Sequence, residues 1–278
     1  MTSGADAVAA LRGALGFLSR LPVGRDERAW VAFRAAPWTL PVAGYLIGGL
    51  LATAVGLALV APLPAPTVAL VYLVAVVALT GINHADGVAD LGDAAVVHGG
   101  PERRREVMSD TVTGVGGTLA LVVVVAGLAL AGLELATLPA LAAAGLVVTA
   151  EVGAKLAMVV LVTVGSPARD GFGAAVAGDL DAGALLLPAV LALPAVILPG
   201  PNVGAVTLAG ALGTAAGLLW WARRRLDGVT GDVFGAANEL ARVVALHAGL
   251  VAWSATGGPF APGRVPGWAL EVLAWTPS

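Results

Sequence analysis

A chain of 278 residues with 58% hydrophobic and 12% charged side chains, and a mean hydropathy of +0.91, is too apolar for a water-soluble domain, where about a quarter of residues are charged. Its net charge of −3, from 15 bases and 18 acids, gives no broad basic surface and speaks against a nucleic-acid partner. The absence of cysteine removes disulfides, thiolate metal sites, iron–sulfur clusters and a cysteine nucleophile.

In chain order, the first apolar stretch runs from Val8 to Val23 and is interrupted by Arg12 and Arg20. It reads as an amphipathic helix in the headgroup plane, not a secretory signal. Seven runs then approach the roughly 20 helical residues that cross about 30 Å of hydrocarbon. They lie near 38–60, 65–82, 115–133, 138–164, 183–199, 203–222 and 235–255. The links from Ala61 to Pro66, at Leu138-Pro139 and from Pro199 to Asn202 are tight and almost free of charge.

Segments 1–37, 83–114, 165–182 and 223–234, by contrast, hold twelve of the fifteen bases. Seven spans put all four on one side, which the positive-inside rule makes cytoplasmic. An apolar mass of Ala, Val, Leu and Gly suits closely packed helices better than a porin barrel. The expectation is an all-α fold: a polytopic integral membrane helical bundle of about seven transmembrane helices with an N-terminal amphipathic helix. Residues 1–278 form a single membrane-embedded domain, multi-pass in the lipid bilayer of the cell (plasma, inner) membrane, with homo-oligomerisation left open.

The acids crowd where the second span ends, in the stretch from Gly81 to Asp93. Asp86, Asp90 and Asp93 are spaced i, i+4, i+7 and project from one face if that stretch is helical. Three carboxylates so close raise one another's pKa unless a cation neutralises them, and a hard divalent ion such as Mg²⁺, completed by water and phosphate oxygens, is the economical answer. Asp110 adds a fourth carboxylate. Taken singly each is as easily a solvated loop acid; taken together they point to a metal. His84 beside them is as a lone histidine more often a hydrogen-bonding residue than a ligand.

Elsewhere, Arg103-Arg104-Arg105 and Arg223-Arg224-Arg225 suit anion binding or contact with anionic lipid. Glu151 and Lys155, at i, i+4 inside an apolar span, fit an internal ion pair or a substrate contact equally well, and Glu239 and Arg242 pair similarly at i, i+3.

These pieces resemble the cobalamin synthase family, the adenosylcobinamide-GDP ribazoletransferases. His84, Asp86, Gly87, Asp90 and Asp93 match its G-x-x-H-x-D-G-x-x-D-x-x-D-G segment. Arg105-Glu106-Val107-Met108, Asp110, Gly114 and Gly117 match the basic stretch after it. Phe17 to Val23 is similar to the family's opening F-x-T-R-L-P-V, Pro41 to Gly48 to its first-span pattern, Arg169 to Gly173 to R-x-D-G-L-G, and Gly231 to Glu239 to G-D-x-x-G-A-x-x-E. The resemblance covers about 17–240. Ala94 stands where glycine is usual, Val112 where arginine is common and Lys155 where arginine is frequent.

The resemblance implies transfer of the adenosylcobinamide-phosphate group from adenosylcobinamide-GDP to α-ribazole or its 5′-phosphate, with loss of GMP. It implies Mg²⁺ held by Asp86, Asp90, Asp93 and Asp110 with Asp232 contributing, a base at Asp93 or His84, and phosphate contacts from Arg103, Arg104, Arg105, Lys155 and Arg169. Two other classes compete. A CDP-alcohol phosphotransferase would want alanine and arginine where Asp90 and Leu91 stand, and a solute or cation transporter would place its acids near the bilayer midplane.

Overall fold

The computed structural model describes residues 4–24, 26–81, 83–168 and 182–257. Among them every regular element is helical. In chain order these are α1 (Gly4–Leu18), α2 (Glu27–Arg34), α3 (Thr39–Val60), α4 (Ala65–Thr80), α5 (Asn83–Val96), α6 (Pro101–Val107), α7 (Val115–Leu135) and α8 (Ala140–Val164). Then come α9 (Leu186–Ala192), flanked by 3₁₀ turns at Ala182–Leu185 and Leu193–Ile197, α10 (Pro201–Arg225) and α11 (Gly231–Thr256).

Helix α8 is the axis of the bundle. Of its most apolar stretch 83% is buried, against 28% for α7, and α3, α10 and α11 pack around it. Leu119, Val122, Val123 and Leu130 of α7 and Leu70, Val74 and Val77 of α4 are exposed. An apolar belt of that kind is a liability in water and the expected surface in lipid.

The bundle is a multi-pass membrane fold, but the seven-span expectation is not reproduced as seven equal helices. Four, α3, α7, α8 and α10, are long and apolar enough to cross a membrane. Helix α4 has 16 residues, about 24 Å of rise, and meets α5 at 97°, so that the two make at most one bent span. The run at 183–199 is broken, because Pro188 and Pro194 lack the N–H an α-helix needs and α9 ends before the second of them. Helix α11 has 26 residues but carries Asp232, Glu239 and Arg242 and falls outside the apolar four.

The N-terminal amphipathic helix is α1, which buries Ala10, Ala14, Leu15 and Leu18. Helix α2 folds back onto it, its N-terminus capped by Asp26 Oδ1, which accepts from Ala29 N at 2.7 Å.

The described parts of the basic segments, residues 165–168 of the third among them, meet at one end of the bundle. Arg20 N donates to Leu79 O at 2.7 Å, and Phe17 of α1 packs on Phe234 of α11 with ring centroids 5.9 Å apart. Arg105 Nη1 donates to Leu226 O at 2.6 Å, and Val229 N to Ser166 O at 2.8 Å.

Candidate active site

Helix α5 lies across that end, wedged between α7 and α11. Two close approaches admit only glycine. A Cβ on Gly87 would fall 2.6 Å from the carbonyl oxygen of Asp232, and one on Gly92 equally near that of Gly116. Gly87 is therefore what lets the acids of α5 reach the first turn of α11, where Asp232 sits under the Thr230 cap. A carboxylate is favoured at such a helix start in any case.

The expected helix through Asp86, Asp90 and Asp93 is present. Burial, then the negative charges of Asp232, Asp86 and Asp93, push the Asp90 carboxyl up to about 7, which places these four acids within electrostatic reach of one another. Asp86 is exposed, and Asp90, Asp93 and Asp232 are half-buried. Among the described residues no three His, Asp or Glu side chains close around an ion. The acids form an open face, which suits Mg²⁺, because that ion takes one or two carboxylates and keeps waters or phosphate oxygens in its other positions.

Asp93 is engaged elsewhere. Gly114 N donates to its Oδ2 at 2.7 Å and Gly117 N to its Oδ1 at 2.9 Å. It thus caps the N-terminus of α7 from another helix. Asp110 lies on the exposed loop before α7, its Oδ1 accepting from Val112 N at 3.3 Å, and is not among the charges that move Asp90.

The three arginines differ. Arg104 is buried, and its Nη1 donates to the carbonyls of Ala94 and, at 3.3 Å, Ala95, closing the C-terminus of α5. Arg105 ties α6 to the loop before α11 through Leu226 O and Asp227 Oδ2, the latter at 3.1 Å. Arg103 is exposed and pairs with Glu106 at 2.6 Å. Arg169, with its motif to Gly173, lies outside the described residues.

Lys155 is fully buried. The two intrahelical pairs read from the sequence are one network: Lys155 and Arg242 both bond Glu151, and Arg242 also bonds Glu239. Asn238 Nδ2 donates to Glu239 Oε1 at 2.9 Å and approaches His84 Nδ1 at 3.2 Å. The chain of contacts therefore reaches the first turn of α5. Burial, outweighing the pull of Glu239, pushes the His84 imidazole down to about 4. Sequence reasoning misses Asn238 and Phe17, whose ring centroid lies 5.5 Å from that imidazole. An amide between Asp232 and Arg242, directly beside Glu239, is the available signal for the first.

The chain matches the family described as cobalamin-5-phosphate synthase over residues 10–250. It is 56% identical over 255 residues to the adenosylcobinamide-GDP ribazoletransferase of Halorubrum lacusprofundi, an alignment covering 88% of this chain and 98% of that protein. Over 253 residues it is 44% identical to the protein of the same name from Haloquadratum walsbyi, covering 88% and 98%. Its identity to that of Methanococcoides burtonii is 29% over 275 residues, covering 96% and 97%. No solved structure matches it. The matched span takes in α5, α7, α8 and the charged half of α11, and by these matches the chain belongs to the cobalamin-5-phosphate synthase family.

Proposed function

We propose that the chain transfers the adenosylcobinamide-phosphate group of adenosylcobinamide-GDP to α-ribazole or its 5′-phosphate at the cytoplasmic face of the cell membrane. The observation that carries this reading is the acidic face itself. Burial first, and then the negative charges of Asp232, Asp86 and Asp93, raise the Asp90 carboxyl to about 7, an arrangement that costs stability unless a cation answers it. The name of the relatives supplies the substrates.

Asp90, with Asp86 or Asp232 beside it, would hold Mg²⁺, which when bound offsets charge on the diphosphate oxygens. Asp93 and Arg104 both fix the C-terminal end of α5, and Gly87 lets the helix lie against the first turn of α11. An acceptor hydroxyl attacks the phosphorus next to the cobinamide arm, and the bond from that phosphorus to the bridging oxygen breaks. GMP leaves with that oxygen, and the hydroxyl proton passes to a carboxylate of the face. Arg103, exposed beside this end, is available to the leaving phosphate.

The test is GMP release and cobalamin formation by purified protein from adenosylcobinamide-GDP and α-ribazole, with Mg²⁺ and with excess chelator. Turnover only with the metal supports the reading; full turnover in chelator, or none with any of these substrates, overturns it.

A further inference from the structure

Two atoms in the interior link the buried ion network to the acidic face: the amide nitrogen of Asn238 and the Nδ1 of His84, 3.2 Å apart. Which of the two donates is decided by a third group. Asn238 Nδ2 also reaches Glu239 Oε1 at 2.9 Å, and Glu239 is bonded by the Arg242 guanidinium through its other oxygen. An ionised carboxylate accepts only, so it must face the amide NH₂ and not the amide oxygen. The two hydrogens of Nδ2 then serve Glu239 and His84, and His84 Nδ1 is the acceptor. Its ring proton is left on Nε2. That atom is buried and has no hydrogen-bond partner among the described residues, and His84 as a residue is 4% exposed. A buried donor left unpaired is costly, and such groups concentrate where a ligand is to be met.

We propose that His84 serves the transfer as a neutral hydrogen-bond donor through Nε2–H, not as its base, and that Asn238 is the positioning residue that fixes this tautomer. This rests on the phosphoryl-transfer reading above. Nδ1 cannot take the proton of the attacking hydroxyl while the amide donates to it, and Nε2 already carries one. The base is therefore a carboxylate. What Nε2–H suits is an oxygen that gains negative charge during the reaction, on the phosphorus group or on the leaving phosphate. Behind Asn238, Arg242 bonds Glu239 and Glu151, and Lys155 bonds Glu151, so the orienting carboxylate is held in place by an ion network. The Phe17 ring lies against the imidazole, their centroids 5.5 Å apart.

Glutamine separates the two roles, because its side-chain NH₂ can stand where Nε2–H stands yet cannot accept a proton. His84→Gln is expected to keep turnover within about tenfold of the parent, whereas His84→Ala loses about 100- to 1000-fold, the effect of deleting one such donor. Equal loss in both variants, each eluting as folded protein, overturns the proposal. A second measurement needs no variant activity. In ¹⁵N-histidine-labelled protein only three histidines contribute, and the signals missing from His84→Gln identify residue 84. The expected pattern at neutral pH is the Nε2–H tautomer; an Nδ1–H pattern overturns the proposal. In Asn238→Asp the carboxylate accepts from Nδ1–H, so the tautomer is expected to switch and turnover to fall with it. An unchanged tautomer there removes Asn238 from the role. Should the parent release no GMP, the functional reading fails, while the spectroscopic arm still reports on the tautomer alone.

Discussion

The first turn of α11 and its middle carry two clusters of charge that obey opposite rules. Around Arg242 two carboxylates meet two cations, all inside the bundle, and every charge has an opposite partner within bonding distance. Around Asp232, a few turns earlier, the charges that act on Asp90 are all negative. Buried charge is tolerated only when it is balanced, and breaking such a set is far costlier than never having built it. Imbalance survives where solvent or a bound ion can answer it. The interior cluster thus has the balance of a structural element, and the end cluster is the one proposed above to carry the reaction.

The sharpest way to break this contrast is Glu151→Ala. It leaves Arg242 and Lys155 without their shared partner, and loss of one member of a buried pair costs about 3–5 kcal/mol. Thermal unfolding in detergent should show a drop larger than that of any single substitution at the acidic face. A variant that unfolds with the parent would mean that the interior charges do not depend on balance.

Asp90→Asn should do the reverse. It removes a repelled carboxylate, so metal-free protein becomes more stable while turnover falls about 100-fold or more. The sign follows from the raised pKa. Between the ordinary carboxylate range near 4 and about 7 the folded protein keeps the Asp90 proton and the unfolded chain does not. Stability in chelator therefore declines as pH rises through that window, and the decline should be shallower in Asp90→Asn. Unfolding midpoints at successive pH values check this; a parallel pair of curves would show that burial and the neighbouring acids do not raise the Asp90 carboxyl.

What the sequence made legible follows the same division. Local spacing was enough to read the helix through Asp86, Asp90 and Asp93, the pairs Glu151–Lys155 and Glu239–Arg242, and most of the long apolar helices. It could not show that Glu151 and Arg242, 91 positions apart, share one bond network, since nothing local encodes the contact of α8 with α11. It could not show the capping by Asp93 of amides 21 and 24 residues ahead, although Gly114 and Gly117 at the start of an apolar helix needed an acceptor from somewhere. The run at 183–199 misled because hydropathy counts proline's neighbours and overlooks its missing N–H. The acidic face was legible in its residue types, and its partner Asp232 through the family pattern, but their approach depends on Gly87.

The caps give intermediate effects. Asp93→Ala should lose about 1–2 kcal/mol of stability, and Asp93→Asn, which keeps one acceptor, less. Arg104→Ala leaves the carbonyls of Ala94 and Ala95 without their charged donor, a loss of about 1.5–3 kcal/mol. Both are read by unfolding with Mg²⁺ absent, so that metal binding does not mask the change. If either variant matches the parent, that end of α5 is held by packing alone.

Arg103 gives the smallest expected change in stability and the clearest separation of roles. Its neighbours in sequence spend their guanidinium groups on backbone carbonyls, whereas Arg103 is exposed and, among the described residues, pairs with a surface acid one turn away. Pairs of that kind contribute at most about 1 kcal/mol and weaken with salt, so Arg103→Ala should leave the unfolding midpoint nearly unmoved. A guanidinium held so loosely can turn to a phosphate when one arrives. A rise in KM for adenosylcobinamide-GDP, with KM for α-ribazole unchanged, would assign it to the diphosphate. Unchanged kinetics would leave Arg103 with its surface pair alone and place the anion contacts on other bases at this end of the bundle.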